Sequence, residues 1–200
     1  MILYCATTNA GKLREFRLAA QSFAGGRIRV EQLPDLGRIP PCEETGSTFE
    51  ENAIQKALYY SRLAPGLLFA EDSGLEVNAL GGAPGVFSAR FAGPAATDEA
   101  NNRLLLEKLR GIEDRSARYV CVAALAEGGR LIRTFSGAVA GRILESPRGS
   151  GGFGYDPLFY YEPFGATFAE VSAERKMAVS HRGQALRQMF EWLAAGAQEG

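Results

Sequence analysis

Two hundred residues, 46% of them hydrophobic, can bury one sizeable core, so a single domain spanning 1–200 is expected. A formal net charge of −1 and a pI near 6.0 argue against the basic surface that a nucleic-acid polymer requires. The three cysteines (Cys5, Cys42 and Cys121) are odd in number, far apart and without metal-site spacing, which fits a reducing compartment and small apolar core residues better than a disulfide framework. No charged stretch leads into an apolar signal core, and no apolar run is long enough for a bilayer, so a cytoplasmic chain without membrane contact is expected.

The elements alternate along the chain. Met1–Thr7 reads as a buried strand and Gly11–Phe23 as a helix with Leu13, Phe16 and Ala20 on one face. "RIRVEQL" is a short alternating strand, followed by a connection through Pro40–Pro41. In "STFEENAIQKALYYSRL", Thr48 and Glu51 have capping-box spacing, so a helix starts there. "GLLFAEDSG" is a buried strand ending in acids, and "LGGAPGVFSARFAG" is a loop with neither helical nor strand period. "TDEANNRLLLEKLRG" is a helix with Gly111 as its stop signal. "ARYVCVAALAEGGRLIRTFSGAVAGRIL" is a hairpin around Gly128–Gly129 with a long second strand. A last helix covers roughly His181–Ala195, after "SAERKMAV". The sum is an α/β fold with a mixed, twisted sheet flanked by helices.

Several connections carry groups suited to chemistry. "TTNAGK" (residues 7–12) joins a strand to a helix as phosphate-binding turns do, yet it is not a P-loop. It lacks the first Gly, and Leu13 stands where a metal-binding hydroxyl is needed. Only four of the 22 basic residues are lysines (Lys12, Lys56, Lys108 and Lys176), so a compact ammonium at Lys12 is a weak sign of selection for one. Glu71 and Asp72 at a strand's carboxyl end lie where open α/β sheets form their ligand crevice, though a solvated turn would account for them equally. The capping box explains Glu51 but not Glu43 or Glu44, and Mg²⁺ needs only one or two carboxylates when substrate phosphates supply further oxygens. "GSGGFGYDP" would let backbone approach a ligand and a ring stack on a base, or its aromatics fold into the core. His181, the only histidine, adjoins Arg182 at a helix start, where backbone N–H groups are free.

Taken together, "TTNAGKLREF", "EETGSTFEENAIQKA", "AEDSGLEV", "LGGAPGVFSARFAG", "GSGGFGYDPLF" and "SAERKMAVSHRGQAL" resemble the inosine triphosphate pyrophosphatase family, the XTP/dITP diphosphatases, over nearly the whole chain and in one order. The resemblance implies a substrate cleft between two lobes, a homodimer and a Mg²⁺-dependent conversion of ITP, dITP or XTP to monophosphate and pyrophosphate. By the same resemblance the turn Thr7, Thr8, Asn9, Ala10, Gly11 and Lys12 grips the triphosphate with Lys56. Asp72 is the general base and a metal ligand, Ser73 contacts substrate, and Glu44 or its neighbour Glu43 is the other metal ligand. Phe153, Gly154, Tyr155 and Asp156 form the nucleoside loop, Lys176 is a further contact, and His181 and Arg182 read the base. The chain departs from the family's usual "EEKN" at Arg175 and Met177, which touches loop packing more than chemistry. Related pyrophosphatases acting on modified pyrimidines would lack the "SHR" reader, and a catalytically silent relative would lack Asp72 or Lys12.

Overall fold

In the computed structural model, which describes residues 1–196, strand β1 (Ile2–Cys5) leads to helix α1 (Ala10–Ala24) and strand β2 (Arg29–Gln32). Helix α2 (Phe49–Ser61) and strand β3 (Leu68–Val77) follow, then helix α3 (Asp98–Lys108). Strands β4 (Ser116–Glu127) and β5 (Arg130–Ile143) are joined by two residues, a connection short enough only for an antiparallel pair. Short strands β6 (Phe159–Tyr161) and β7 (Ala166–Thr167) precede helices α4 (Ala173–Val179) and α5 (His181–Gly196). All seven strands form one sheet in the order β2-β1-β3-β4-β5-β6-β7. β1 runs parallel to both β2 and β3, whereas β6 runs antiparallel to β5 and β7, so the expected mixed α/β class is the observed one.

Local signals account for most boundaries. Asn9 caps α1 by accepting from the Lys12 N–H, Thr48 and Glu51 complete both halves of the predicted capping box, and Thr97 caps α3. Two expectations need correction, and one segment without an expected element gains one. β3 does not end at the acids: it continues five residues to Val77, so Glu71 and Asp72 lie mid-strand. The segment read as an aperiodic loop contains 3₁₀ turns at Asn78–Leu80 and Gly85–Arg90. "SAERKMAV" is itself a helix, α4, capped by the Ser172 hydroxyl accepting from the Arg175 N–H.

The chain packs as two compact units. Among the described residues the first comprises 1–72, 121–137 and 181–196. Here β1 connects through α1 to β2 on one side, and β3 lies on its other side, so a topological switch point falls at the carboxyl end of β1. The turn Thr7–Lys12 leaves the sheet at that point. α1 packs on α5, and Phe16 meets Phe69 edge-on at 4.9 Å. A separate cluster of Leu33, Leu36, Tyr60 and Leu68 anchors the Pro-rich connection. The second unit comprises 73–120 and 138–180, with its core built from Leu75, Leu105, Tyr119, Val139, Phe159 and Phe168 among others.

Candidate active site

Neighbouring residues on a strand point to opposite faces, and in β3 that alternation divides the acids of the first unit. Asp72 meets α2: its Oδ1 lies 3.0 Å from Lys56 Nζ, and its Oδ2 accepts from Asn52 Nδ2 at 3.3 Å. Lys56 and Asn52 are one helical turn apart and so share a face. Lys56 Nζ also lies 3.2 Å from Glu44 Oε2, which brings two carboxylates onto one cation. Glu44 reaches this place because its segment is pinned on both sides. Before it, Tyr59 donates to the Pro40 carbonyl and Cys42 N–H donates to the Tyr60 hydroxyl. After it, Thr45 and Gly46 N–H groups donate to Gln55 and Asn52. Glu43, the alternative metal ligand, is exposed to solvent.

Glu71 meets the elements on the other face. Its Oε1 lies 2.6 Å from Lys12 Nζ on α1 and 3.4 Å from Arg182 Nη2 on α5, while Cys121 Sγ donates to Oε2 at 3.1 Å. Arg182 is paired a second time, through Nη1 to Glu15 Oε2. His181 and Arg182 are 3% and 2% exposed, so the pair expected to read the base is buried rather than displayed at an open helix start. Gly137 of β5 explains how α5 comes so close. A Cβ there would run into the His181 carbonyl oxygen and lie 2.6 Å from Gln184 Cβ.

These charges form one electrostatic cluster. Burial raises the Asp72 carboxyl above its ordinary value, and Lys56 and Lys12 only partly oppose it. Burial would also raise Glu71, but Arg182, Lys12 and Lys56 hold it well below the usual carboxylate range. For Lys56 burial favours proton loss, yet Asp72, Glu44 and Glu71 outweigh it and keep the ammonium above the ordinary lysine value. Thr7 and Asn9 organise the turn: Asn9 N–H donates to Thr7 Oγ1, and Gln32 Nε2 donates to the Thr7 carbonyl. Thr8, Ala10 and Gly11 complete it, with Ala10 and Gly11 in the first turn of α1.

The second unit carries the remaining candidates. Ser73 follows Asp72 on β3. Asp156 is 2% exposed and organises its loop: it accepts from the Phe153 N–H at 3.1 Å and from Tyr119 Oη at 3.2 Å, and pairs with Lys176 Nζ at 2.5 Å. Lys176 Nζ sits 5.0 Å from the Phe153 ring centroid. Tyr155 is different: its ring belongs to the core and its hydroxyl donates to the Ser88 carbonyl at 2.7 Å, so only its main chain remains for a ligand. The two departures from the family pattern both have packing roles, Arg175 stacked on Phe164 at 4.2 Å and Met177 buried.

A model of the Ham1 family matches residues 3–192. The chain belongs to the Ham1 family. Among its relatives, the dITP/XTP pyrophosphatase of Acidobacterium capsulatum is 53% identical over 94% of this chain and 95% of its own length. That of Syntrophobacter fumaroxidans is 50% identical over 97% and 85%. The solved Ham1 protein of Coxiella burnetii superimposes with a TM-score of 0.85 at 40% identity, covering 98% of this chain and 99% of its own. The Staphylococcus aureus Ham1 protein gives 0.84 at 38% identity, covering 98% and 100%. The resemblance seen in the sequence is therefore correct at the level of family and fold.

Within this Ham1 chain, sequence reading gave no role to Glu15 or Asn52, and it placed Glu71 at the ligand crevice without naming a partner for it. Each had a local signal. Glu15 is three residues beyond Lys12 and Asn52 four before Lys56, so each shares a helix face with a candidate lysine. Glu71 precedes Asp72 on a strand, where adjacent acids serve opposite faces. Among the described residues no three His, Cys, Asp or Glu side chains group into a self-sufficient metal site. The Glu44–Asp72 pair, already sharing a cation at 3.0–3.2 Å, suits a hard ion that takes its other oxygens from phosphates.

Proposed function

We propose that residues 1–200 act as one catalytic domain that hydrolyses deaminated purine nucleoside triphosphates (ITP, dITP and XTP) to the monophosphate and pyrophosphate. This removes them from the nucleotide pool and prevents their incorporation into DNA and RNA. The observation that carries the reading is Lys56 held between Glu44 and Asp72, with Asp72 oriented by Asn52. Asp72 is the general base that takes a proton from the attacking water. Burial lifts its proton affinity toward the working pH, where a base is most effective. Lys56 and Lys12, with the Thr7–Lys12 turn and its helix N-terminus, neutralise the triphosphate. Such electrostatic preorganisation is the main lever in phosphoryl transfer. Glu44 and Asp72 are the residues that would hold Mg²⁺, which supplies charge neutralisation at the phosphates when bound. Glu43 is not assigned to the metal, since its side chain faces solvent.

Arg182 and His181 donate to the purine 6-oxo group that hypoxanthine and xanthine present. Adenine offers a donor there, which would leave buried donors facing a donor. Ser73, Phe153, Gly154, the main chain of Tyr155, Asp156 and Lys176 contact the nucleotide, with the Phe153 ring offering a stacking face. We also assign the chain to the cytoplasm as a homodimer without nucleic-acid or membrane partners. No helix among the described residues is long and apolar enough to cross a membrane.

The test is product analysis with ITP, XTP, dITP, GTP and ATP, with and without Mg²⁺. Pyrophosphate and monophosphate should form in equal amounts from the first three, and chelation should stop the reaction. Release of orthophosphate, or equal turnover of ATP, would refute the assignment.

A further inference from the structure

Helix α3 contributes nothing to the site as described, yet two of its side chains grip one residue of the nucleoside loop from both ends. Gly154 N–H donates to Asp98 Oδ2 at 2.7 Å, and Asn102 Nδ2 donates to the Gly154 carbonyl at 3.0 Å. Asp98 and Asn102 are four residues apart, so they stand one above the other on one helix face. Gly154 has φ of +62°, a left-handed conformation that glycine adopts without strain but as one of many, so outside partners are what select it. Apolar packing does not supply them: a cavity of about 480 Å³ lies against Asp98, Asn102, Phe153, Gly154, Pro157 and Leu158. On its other side the loop is held by Asp156, which accepts from the Phe153 N–H. Phe153 thus hangs between two hydrogen-bonded anchors, one of them on α3.

We infer that Asp98 and Asn102 are positioning residues that set the nucleoside loop, and hence Phe153, for the base. This inference rests on the proposed role of that loop. It predicts a defect in recognising the nucleoside and none in recognising phosphate.

Steady-state kinetics with ITP, alongside inhibition by inorganic tripolyphosphate, which has no base, separate the two. Asp98→Ala and Asn102→Ala should each raise KM for ITP about 3- to 10-fold, as loss of one such hydrogen bond implies. The inhibition constant of tripolyphosphate should not move. Asp98→Asn keeps an acceptor oxygen and should restore most of the wild-type KM. Asn102→Asp cannot donate and sets a carboxylate against the Gly154 carbonyl, so it should be no better than alanine. If KM and the tripolyphosphate constant rise together, or if Asp98→Asn is as poor as Asp98→Ala, the pair only supports the helix and the inference falls. Phe153→Ala is the control. Should it raise KM while the α3 variants do not, the positioning inference alone is wrong. Should it leave KM unchanged, the nucleoside-loop reading fails and takes the inference with it.

Discussion

Glu71→Gln removes the charge at the centre of a buried ionic cluster while keeping the side chain's volume. The cluster is balanced, with Lys12 and Arg182 facing Glu71 and Glu15. Without the Glu71 charge, Arg182, whose side chain is 3% exposed, loses one of the two carboxylates that face it and keeps Glu15, and Lys12 loses its 2.6 Å partner. Removing one member of a buried pair typically costs about 3–5 kcal/mol. Lys12 is 22% exposed and can turn toward water, and the glutamine oxygen still accepts from Cys121, so about 2–4 kcal/mol is expected here. For a chain of this size that lowers Tm by roughly 5–15 °C. Calorimetry of the protein without nucleotide measures it, and the same scans across pH test the cause. The folded Glu71 carboxyl is held well below its unfolded value, despite burial, by Arg182 and Lys12. Its contribution is therefore full above the unfolded carboxylate value and is lost as pH falls through the folded one. The gap between wild type and Glu71→Gln should stay constant near neutrality and close only in the acid range. A variant within about 1 kcal/mol of wild type, or a gap that ignores acidification, would refute this account.

Asp72→Asn should lower kcat by about 10²–10⁴-fold while nucleotide still binds, and a kcat within about threefold of wild type would remove Asp72 from the chemistry. Arg182→Ala should lower kcat/KM for ITP by about 10- to 150-fold and reduce ATP turnover much less, so equal proportional losses would end its base-reading role. The comparison belongs at a temperature where circular dichroism shows the variant folded, because Glu15 and Glu71 lose a buried partner. Gly137→Ala should force the first turn of α5 away from β5, costing about 1–3 kcal/mol by overpacking and narrowing the ITP/ATP ratio. Unchanged Tm and unchanged selectivity together would show that α5 tolerates the shift.

Features written in short-range chemistry were legible in the sequence. The capping box of Thr48 and Glu51, the hairpin at Gly128–Gly129 and the apolar face of α1 each depend on residues a few positions apart. Motif order sufficed to point to the family. What the sequence left open depends on partners distant along the chain. Arg182 finds Glu15 across 167 positions and Glu71 across 111, and no local period records either meeting. The extent of β3 past its acids was hidden for the same reason: charged residues end a strand when they face water, but here Glu71 and Asp72 meet cations on each side. Glu43 and Glu44 are equivalent as neighbours in sequence. Only the anchoring of their segment on α2 turns one carboxylate to Lys56 and leaves the other in solvent. Tyr155, in a glycine-rich loop, likewise reads equally as a ligand-facing ring or as a core aromatic, and its fate was set by a core large enough to take the ring and a carbonyl at Ser88 placed to accept its hydroxyl. Local hydrogen bonding selects the elements, whereas which buried charge meets which partner is decided when those elements pack, because only then does leaving one unpaired become costly.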